Sequence, residues 1–318
     1  MALKIKIREN TLEHIHESDM FEGIDLLPGR KVAYNPKHSQ YVDTREQTML
    51  PIERKIKIRV LNTDRESTYP VISIFGRNSN DNNTRNDGNP LVYALKEENG
   101  WSFRSRNDKN LIIAQATKVA KNLFSRHHID TIVFTPSTND LNKQIRDIVE
   151  QACPQATMLP NTLFNKKKTK DVFNWLDYDW IRYILGHYYV KTRGWKRDDP
   201  RWDDFIDEQK ELMSQYADSM GDTFTYHKLP MEYRKAIPQS AEVGDICEYD
   251  VMLNDMDVAI IDDTLTTGKT LSDISELILK SYAPKSITFI TMFSAKDSID
   301  LDTEVPTSDW KSNLPKRA

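Results

Sequence analysis

Asp262 and Asp263 stand side by side, and Thr264, Thr266, Thr267, Gly268, Lys269 and Thr270 follow them closely. Two adjacent carboxylates can accept hydrogen bonds from a sugar diol, alone or beside a divalent cation. Hydroxyls and a glycine at the start of a helix suit a phosphate. The helix N-terminus offers unpaired N–H groups and a partial positive charge, and glycine lets the backbone approach an anion closely. A carboxylate pair touching the phosphate itself would repel it, so the two halves address different parts of one ligand. Together they read as a cradle for a ribose 5-phosphate.

Such residues need a strand ending beneath the carboxylates and a helix starting beyond the hydroxyls. Val258-Ala259-Ile260-Ile261 is a short apolar run suited to a buried parallel strand. Thr264 to Thr267 read as the loop, and Leu271, Ile274, Leu277 and Ile278 recur at helical spacing. Gly268-Lys269-Thr270 also resembles the end of a nucleotide-binding P-loop. That motif needs a glycine where Asp263 stands, and a carboxylate there would oppose a triphosphate. A plain strand–turn–helix with aspartates near an N-cap is the remaining alternative.

Val258 to Thr270 resembles the phosphoribosyl pyrophosphate (PRPP) signature of type I phosphoribosyltransferases, and Thr266-Thr267-Gly268 looks most like the ComF-type, competence-associated subgroup. The resemblance implies that Asp262 and Asp263 face the ribose hydroxyls and a Mg²⁺ ion, directly or through water. It implies that Thr266, Thr267, Gly268, Lys269 and Thr270 bind the 5-phosphate. Purine-salvage members usually carry an aspartate where Thr266 stands, so purine salvage is disfavoured.

The chain is long enough for one large domain or two modest ones. It has 318 residues, 44 basic against 48 acidic side chains, and a net charge of −4, which argues against a surface that coats nucleic acid. Hydrophobic residues make up 38% of it, including six Trp, enough to build a core despite a mean hydropathy of −0.64. No apolar run approaches the ~20 residues of a membrane helix, and the opening MALKIKIREN does not read as a signal peptide. Cys153 and Cys247 lack metal-ligand spacing, so a reduced, cytoplasmic setting is expected.

Along the chain, residues 1–89 form a β-rich region by alternation at Leu3, Ile5, Ile7 and at Ile56, Ile58, Val60, with Val71 to Phe75 a further strand. Gly76 to Pro90 reads as a polar loop. Residues 90–170 and 237–318 carry the core. A helix shows Ile112, Ala116, Val119, Ala120 and Leu123 on one face; Asp130 to Phe134 and Thr157 to Leu159 are strands; Leu141, Ile145, Ile148 and Val149 mark a second helix; Ser286 to Phe293 is the last strand. LVYALK at Leu91 to Lys96, together with this order, also looks ComF-like. By the same resemblance Ser137, Thr138 and Asn139 contact pyrophosphate, where ligands bind at the carboxyl ends of parallel strands. Lys166, Lys167 and Lys168 are read either as a solvated basic face or as a mobile loop closing on pyrophosphate.

Residues 171–236 hold Trp175, Trp180, Trp195 and Trp202 and read as an inserted helical cap. It is either a small aromatic core or a surface for a protein, a second copy or nucleic acid. The expected fold is a type I phosphoribosyltransferase-like α/β parallel sheet flanked by helices, with the β-rich N-terminal region and the helical insertion added. The expected activity is transfer of the phosphoribosyl group from PRPP to an unidentified nitrogenous acceptor. The alternative is a silent PRPP-binding regulatory or effector module, of the kind a DNA-uptake or phage-defence system would use.

Overall fold

The computed structural model describes residues 23–36, 52–59, 66–77, 90–137, 140–176, 199–234, 239–244, 252–265 and 268–295, with single positions 178, 181, 185, 194, 196 and 237. The sequence readings at Leu3 to Ile7, Val60, 78–89, Thr138, Asn139, Trp180, Trp195, Cys247, Thr266 and Thr267 lie outside the described residues.

The apolar runs assemble side by side into a mixed α/β fold. Strands β3 (Ile52–Arg59), β4 (Glu66–Arg77), β6 (Thr131–Phe134), β7 (Thr157–Met158), β10 (Asp257–Leu265) and β11 (Ser286–Ala295) form one sheet in the order β3-β4-β11-β10-β6-β7. Five of these strands run mutually parallel, and β3 closes one edge antiparallel to β4. TIVF in β6 and VAII in β10 are buried throughout, as strands covered on both faces must be. Strand β4 brings residues 66–77 of the N-terminal region into the central sheet, where Ser73 Oγ meets Thr291 Oγ1 at 2.8 Å.

Helices α1 (Pro90–Lys96), α2 (Arg106–Phe124) and α3 (Asp140–Ala152) cover one face. Ile112, Ala116, Ala120, Ile145 and Ile148 pack there against Ala259, Ile261 and Ile290. The helix α7 (Lys269–Ser281) covers the other, setting Leu271, Ile274 and Ile278 against Val258, Ile260 and Phe289. A small sheet of β1 (Gly23–Leu27), β2 (Lys31–Asn35) and β5 (Ser102–Phe103) adds Ile24 and Val32 to the first core. Asp108 fastens it: this buried carboxylate accepts the Tyr34 N–H at 2.9 Å, Arg104 Nη2 at 2.6 Å and the Ser105 hydroxyl.

One expectation changes. Strand β10 runs on through Asp262, Asp263 and Thr264 to Leu265, so the acidic pair lies within the strand. Ladder bonds to β11 reach as far as Leu265, paired with Ser294, and hold it extended. Lys166 ends β8 (Phe164–Lys166), which pairs antiparallel with β9 (Ala241–Val243), and the Lys167 N–H donates to Ser240 O at 2.9 Å. Strands β3 and β4, from within residues 1–89, belong to the central sheet.

The insertion has a hydrophobic cluster of its own. Helices α4 (Thr169–Asn174), α5 (Arg201–Met220) and α6 (Met231–Arg234) surround buried Val172, Trp202, Phe205, Met213 and Phe224. Most described aromatic residues here are therefore core, and Trp175, 79% exposed, is the exception. Among the described residues no helix is long and apolar enough to cross a membrane.

Asp108→Ala should lower unfolding free energy by about 2–4 kcal/mol, because the Tyr34 N–H and the Arg104 guanidinium lose a buried acceptor together. Urea denaturation checks this, and a change below about 0.5 kcal/mol would show that the small sheet holds without it.

Candidate functional site

Strand geometry decides where the two aspartates go. Side chains alternate between the faces of a sheet. Val258 and Ile260 join the α7 side, and Ala259 and Ile261 join the α1–α3 side. Carried forward, Asp262 starts on the α7 side and Asp263 on the α1–α3 side. The observed partners agree. Asp263 Oδ2 meets Lys96 Nζ, from the last turn of α1, at 2.9 Å. Asp262 Oδ1 accepts the Thr135 hydroxyl at 2.8 Å, from the residue just past β6, and the Asp263 N–H at 2.9 Å. Both carboxylates sit near the carboxyl end of a central parallel strand, where open α/β sheets bind ligands.

The charges here are strongly coupled. Burial, then the neighbouring Asp263 charge, pushes the Asp262 carboxyl up to about 6, although Thr135, the Asp263 amide and Lys96 oppose the shift. Burial pulls the Lys96 ammonium down, but its ion pair and hydrogen bond with Asp263 outweigh this and its pKa rises. Burial lowers Lys166, and the attraction of Asp262 and Asp263 does not fully compensate. Lys166 thus lies within electrostatic reach of the acidic pair. The adjacent Thr264 hydroxyl is buried and has no hydrogen-bond partner among the described residues.

Beyond the strand, Gly268 enters α7 with φ +70°, a left-handed conformation that favours glycine. Thr270 is half-buried in the first turn. The Lys269 side chain turns away from the loop and pairs with Asp273 Oδ1 at 2.5 Å, so its ammonium is already engaged. Any contact of Lys269 with an anion at the helix entrance therefore falls to its backbone N–H. Asp273 is fully buried. Its Oδ2 also accepts the Tyr226 hydroxyl at 2.8 Å, the Ser240 N–H at 2.9 Å and the Ser240 hydroxyl at 2.5 Å. Burial, then the Asp273 charge, holds the Tyr226 hydroxyl well above its ordinary pKa.

The other expected residues divide. Ser137 is half-buried just past β6. Lys166 comes to the acidic pair. Lys167 is held through its backbone, and Lys168 is exposed and precedes α4. Sequence reasoning missed Lys96, Thr135 and Asp273, and gave Thr264 only a place in the loop. Thr135 had a usable signal, since it ends an apolar strand. Lys96 ends a helix that the sequence did not point towards the aspartates.

Oxygen donors from Asp262, Asp263, Thr135 and Thr264 have the chemistry that Mg²⁺ takes, and the unpartnered Thr264 hydroxyl marks unused polar capacity beside them. A second cluster could also hold a metal. His128, Asp130 and Asp257 place their ligand atoms within 4.8 Å of one another, towards the amino end of the same sheet. There Asp257 already meets Lys285 Nζ at 2.7 Å and the Ser286 hydroxyl at 2.6 Å, leaving it little need of a cation. A surface groove of about 590 Å³ between α2 and α3, lined by Ile113, Thr117, Lys118 and Gln151, includes none of the acidic-pair residues. Comparison with known proteins gives no match to a family model, a curated protein or a solved structure.

The Asp262 carboxyl gives a signed pH prediction. Its folded value of about 6 exceeds that of an unfolded aspartate, so the folded chain binds more protons in that interval. Stability contributed through this group falls as pH rises from about 4 to about 6. Asp262→Asn keeps an acceptor for Thr135 and removes the charge. Relative to wild type it should gain about 1–3 kcal/mol between pH 4 and pH 8, read by urea denaturation with chelator present. A difference independent of pH would contradict the shift.

Proposed function

We propose that the protein is a type I phosphoribosyltransferase-like enzyme. It would bind PRPP with Mg²⁺ and transfer the phosphoribosyl group to a nitrogenous acceptor, releasing pyrophosphate. The observation that carries this reading is the acidic pair at the end of a central parallel strand, followed by a glycine-led helix entrance. The two lysines beside the pair add support.

In the reaction the bond from ribose C1 to the pyrophosphate oxygen breaks and a C1–N bond forms. The bonding electrons leave with pyrophosphate, and the acceptor nitrogen loses a proton to solvent or a nearby base. Positive charge grows on the ring as the old bond lengthens, and Asp262 and Asp263 would hold the ribose hydroxyls and stabilise that charge. Thr266, Thr267, Gly268, Thr270 and the Lys269 backbone would anchor the 5-phosphate, fixing C1 through remote contacts. Lys166, with Ser137, Thr138 and Asn139, would receive the departing pyrophosphate. Lys167 and Lys168 complete the basic segment beside it. Asp262 and Asp263 would hold Mg²⁺, directly or through water, and the ion would neutralise phosphate charge.

A second reading is a binding module that keeps the sugar site and acts through a partner. The exposed Trp175 on the insertion favours it, as does a threonine at position 266 in place of an acid. Pyrophosphate release from PRPP and Mg²⁺ in a mixture of purine, pyrimidine and amine acceptors separates the two. Turnover by wild type that drops at least ~100-fold in Asp263→Asn supports the enzyme. PRPP binding with no release supports the module, and turnover unaffected by Asp263→Asn removes the proposed mechanism.

A further inference from the structure

The Lys96–Asp263 pair presents a problem for any ligand of the acidic pair. Its atoms are 2.9 Å apart, and the two side chains are only 16% and 13% exposed. The ammonium therefore occupies the carboxylate that a sugar diol or a cation would use. With Asp262 and Lys166 added, the formal charges of the four groups sum to zero. Bringing a divalent cation into that neutral, half-buried space would crowd positive charge upon positive charge. Either an ammonium leaves or an anion arrives with the cation.

Lys96 is built to leave. It ends the seven-residue helix α1, where a cation is favoured, and the chain turns immediately through Glu97 at φ +57° and Asn99 at φ +54°. Its flexible stem carries a compact point charge with no fixed fork geometry. Glu98 already attracts it from the same turn, which gives the ammonium a second acidic neighbour. Lys166 is anchored differently, in the β8–β9 ribbon opposite Ala241.

We propose that Lys96 is an exchangeable counter-ion, which closes Asp263 to cations and diols in the ligand-free protein and moves onto the incoming anion when the acidic pair is occupied. The proposal rests on the sugar-phosphate reading above for the identity of that anion, PRPP or its pyrophosphate. It predicts a binding order: a divalent cation alone binds poorly, and cation and anionic sugar bind together.

Mn²⁺ titration of the full chain, followed by electron paramagnetic resonance, tests the exchange without any sugar. Lys96→Met should bind Mn²⁺ at least tenfold more tightly than wild type, and adding Asp263→Asn should abolish the gain. That control separates the acidic pair from the His128–Asp130–Asp257 cluster. Calorimetry with PRPP and Mg²⁺ should move the other way, with Lys96→Met binding at least tenfold more weakly. A merely structural lysine would not produce opposite shifts. Unchanged or weaker Mn²⁺ binding by folded Lys96→Met overturns the proposal. Acetylation of wild-type Lys96 gives a second readout should that variant misfold. Labelling should rise severalfold in a large excess of Mg²⁺, and unchanged labelling overturns the proposal equally. A Mn²⁺ gain with no PRPP binding by wild type leaves the counter-ion standing and refutes only the sugar reading.

Discussion

Asp273 is the constraint on which the site's shape depends. A carboxylate buried without partners would cost several kcal/mol. Here it is met by Lys269 from its own helix, Tyr226 from the insertion, and the hydroxyl and N–H of Ser240 on the way back to the sheet. Charge-assisted hydrogen bonds of this kind are both strong and directional. They lock two segments, the insertion at Tyr226 and the return strand at Ser240, to the first turns of α7. One is the ribbon that carries Lys166, so the same contact fixes the helix entrance and one cationic wall of the site. The Gln239 side chain adds a bond to the Asp273 carbonyl oxygen at 3.2 Å. The insertion is thereby joined to the α/β core through a buried carboxylate.

At the other end of the short path along β10, sheet geometry and electrostatics act together. Extending the strand through the acidic pair sends adjacent aspartates towards different helical layers, where each meets partners of its own. Asp263 takes Lys96 from α1, while Asp262 lies within reach of Lys166 and accepts from Thr135. Neither carboxylate could be buried this far alone. The result is a polar cluster whose four formal charges sum to zero.

Periodicity made the framework legible. The apolar runs at 131–134, 258–261 and 286–293 and the helical faces at 112–123 and 141–149 fall where strand and helix spacing put them. The acidic pair reads as chemistry, because two carboxylates before a threonine-glycine entrance have few ordinary uses. What stayed hidden depends on contacts distant in sequence. Lys96 and Asp263 are far apart in the chain, and no local pattern announces their meeting. The basic run reads as a solvated face or a loop, because its partner, Ala241 to Val243, returns only after the whole insertion. Lys269 looked like a phosphate ligand, and Asp273 one turn later captures it. The aromatic residues of the insertion looked equally suited to a surface or a core. Burial of Trp202, Phe205 and Phe224 assigns those three to a core.

Isothermal titration calorimetry of the full chain with PRPP, in the presence and absence of Mg²⁺, tests the central claim most directly. Saturable, Mg²⁺-dependent binding that disappears in Asp262→Asn/Asp263→Asn is the expected result. An absence of heat with folded wild-type protein, or binding unchanged by loss of both carboxylates, would contradict it.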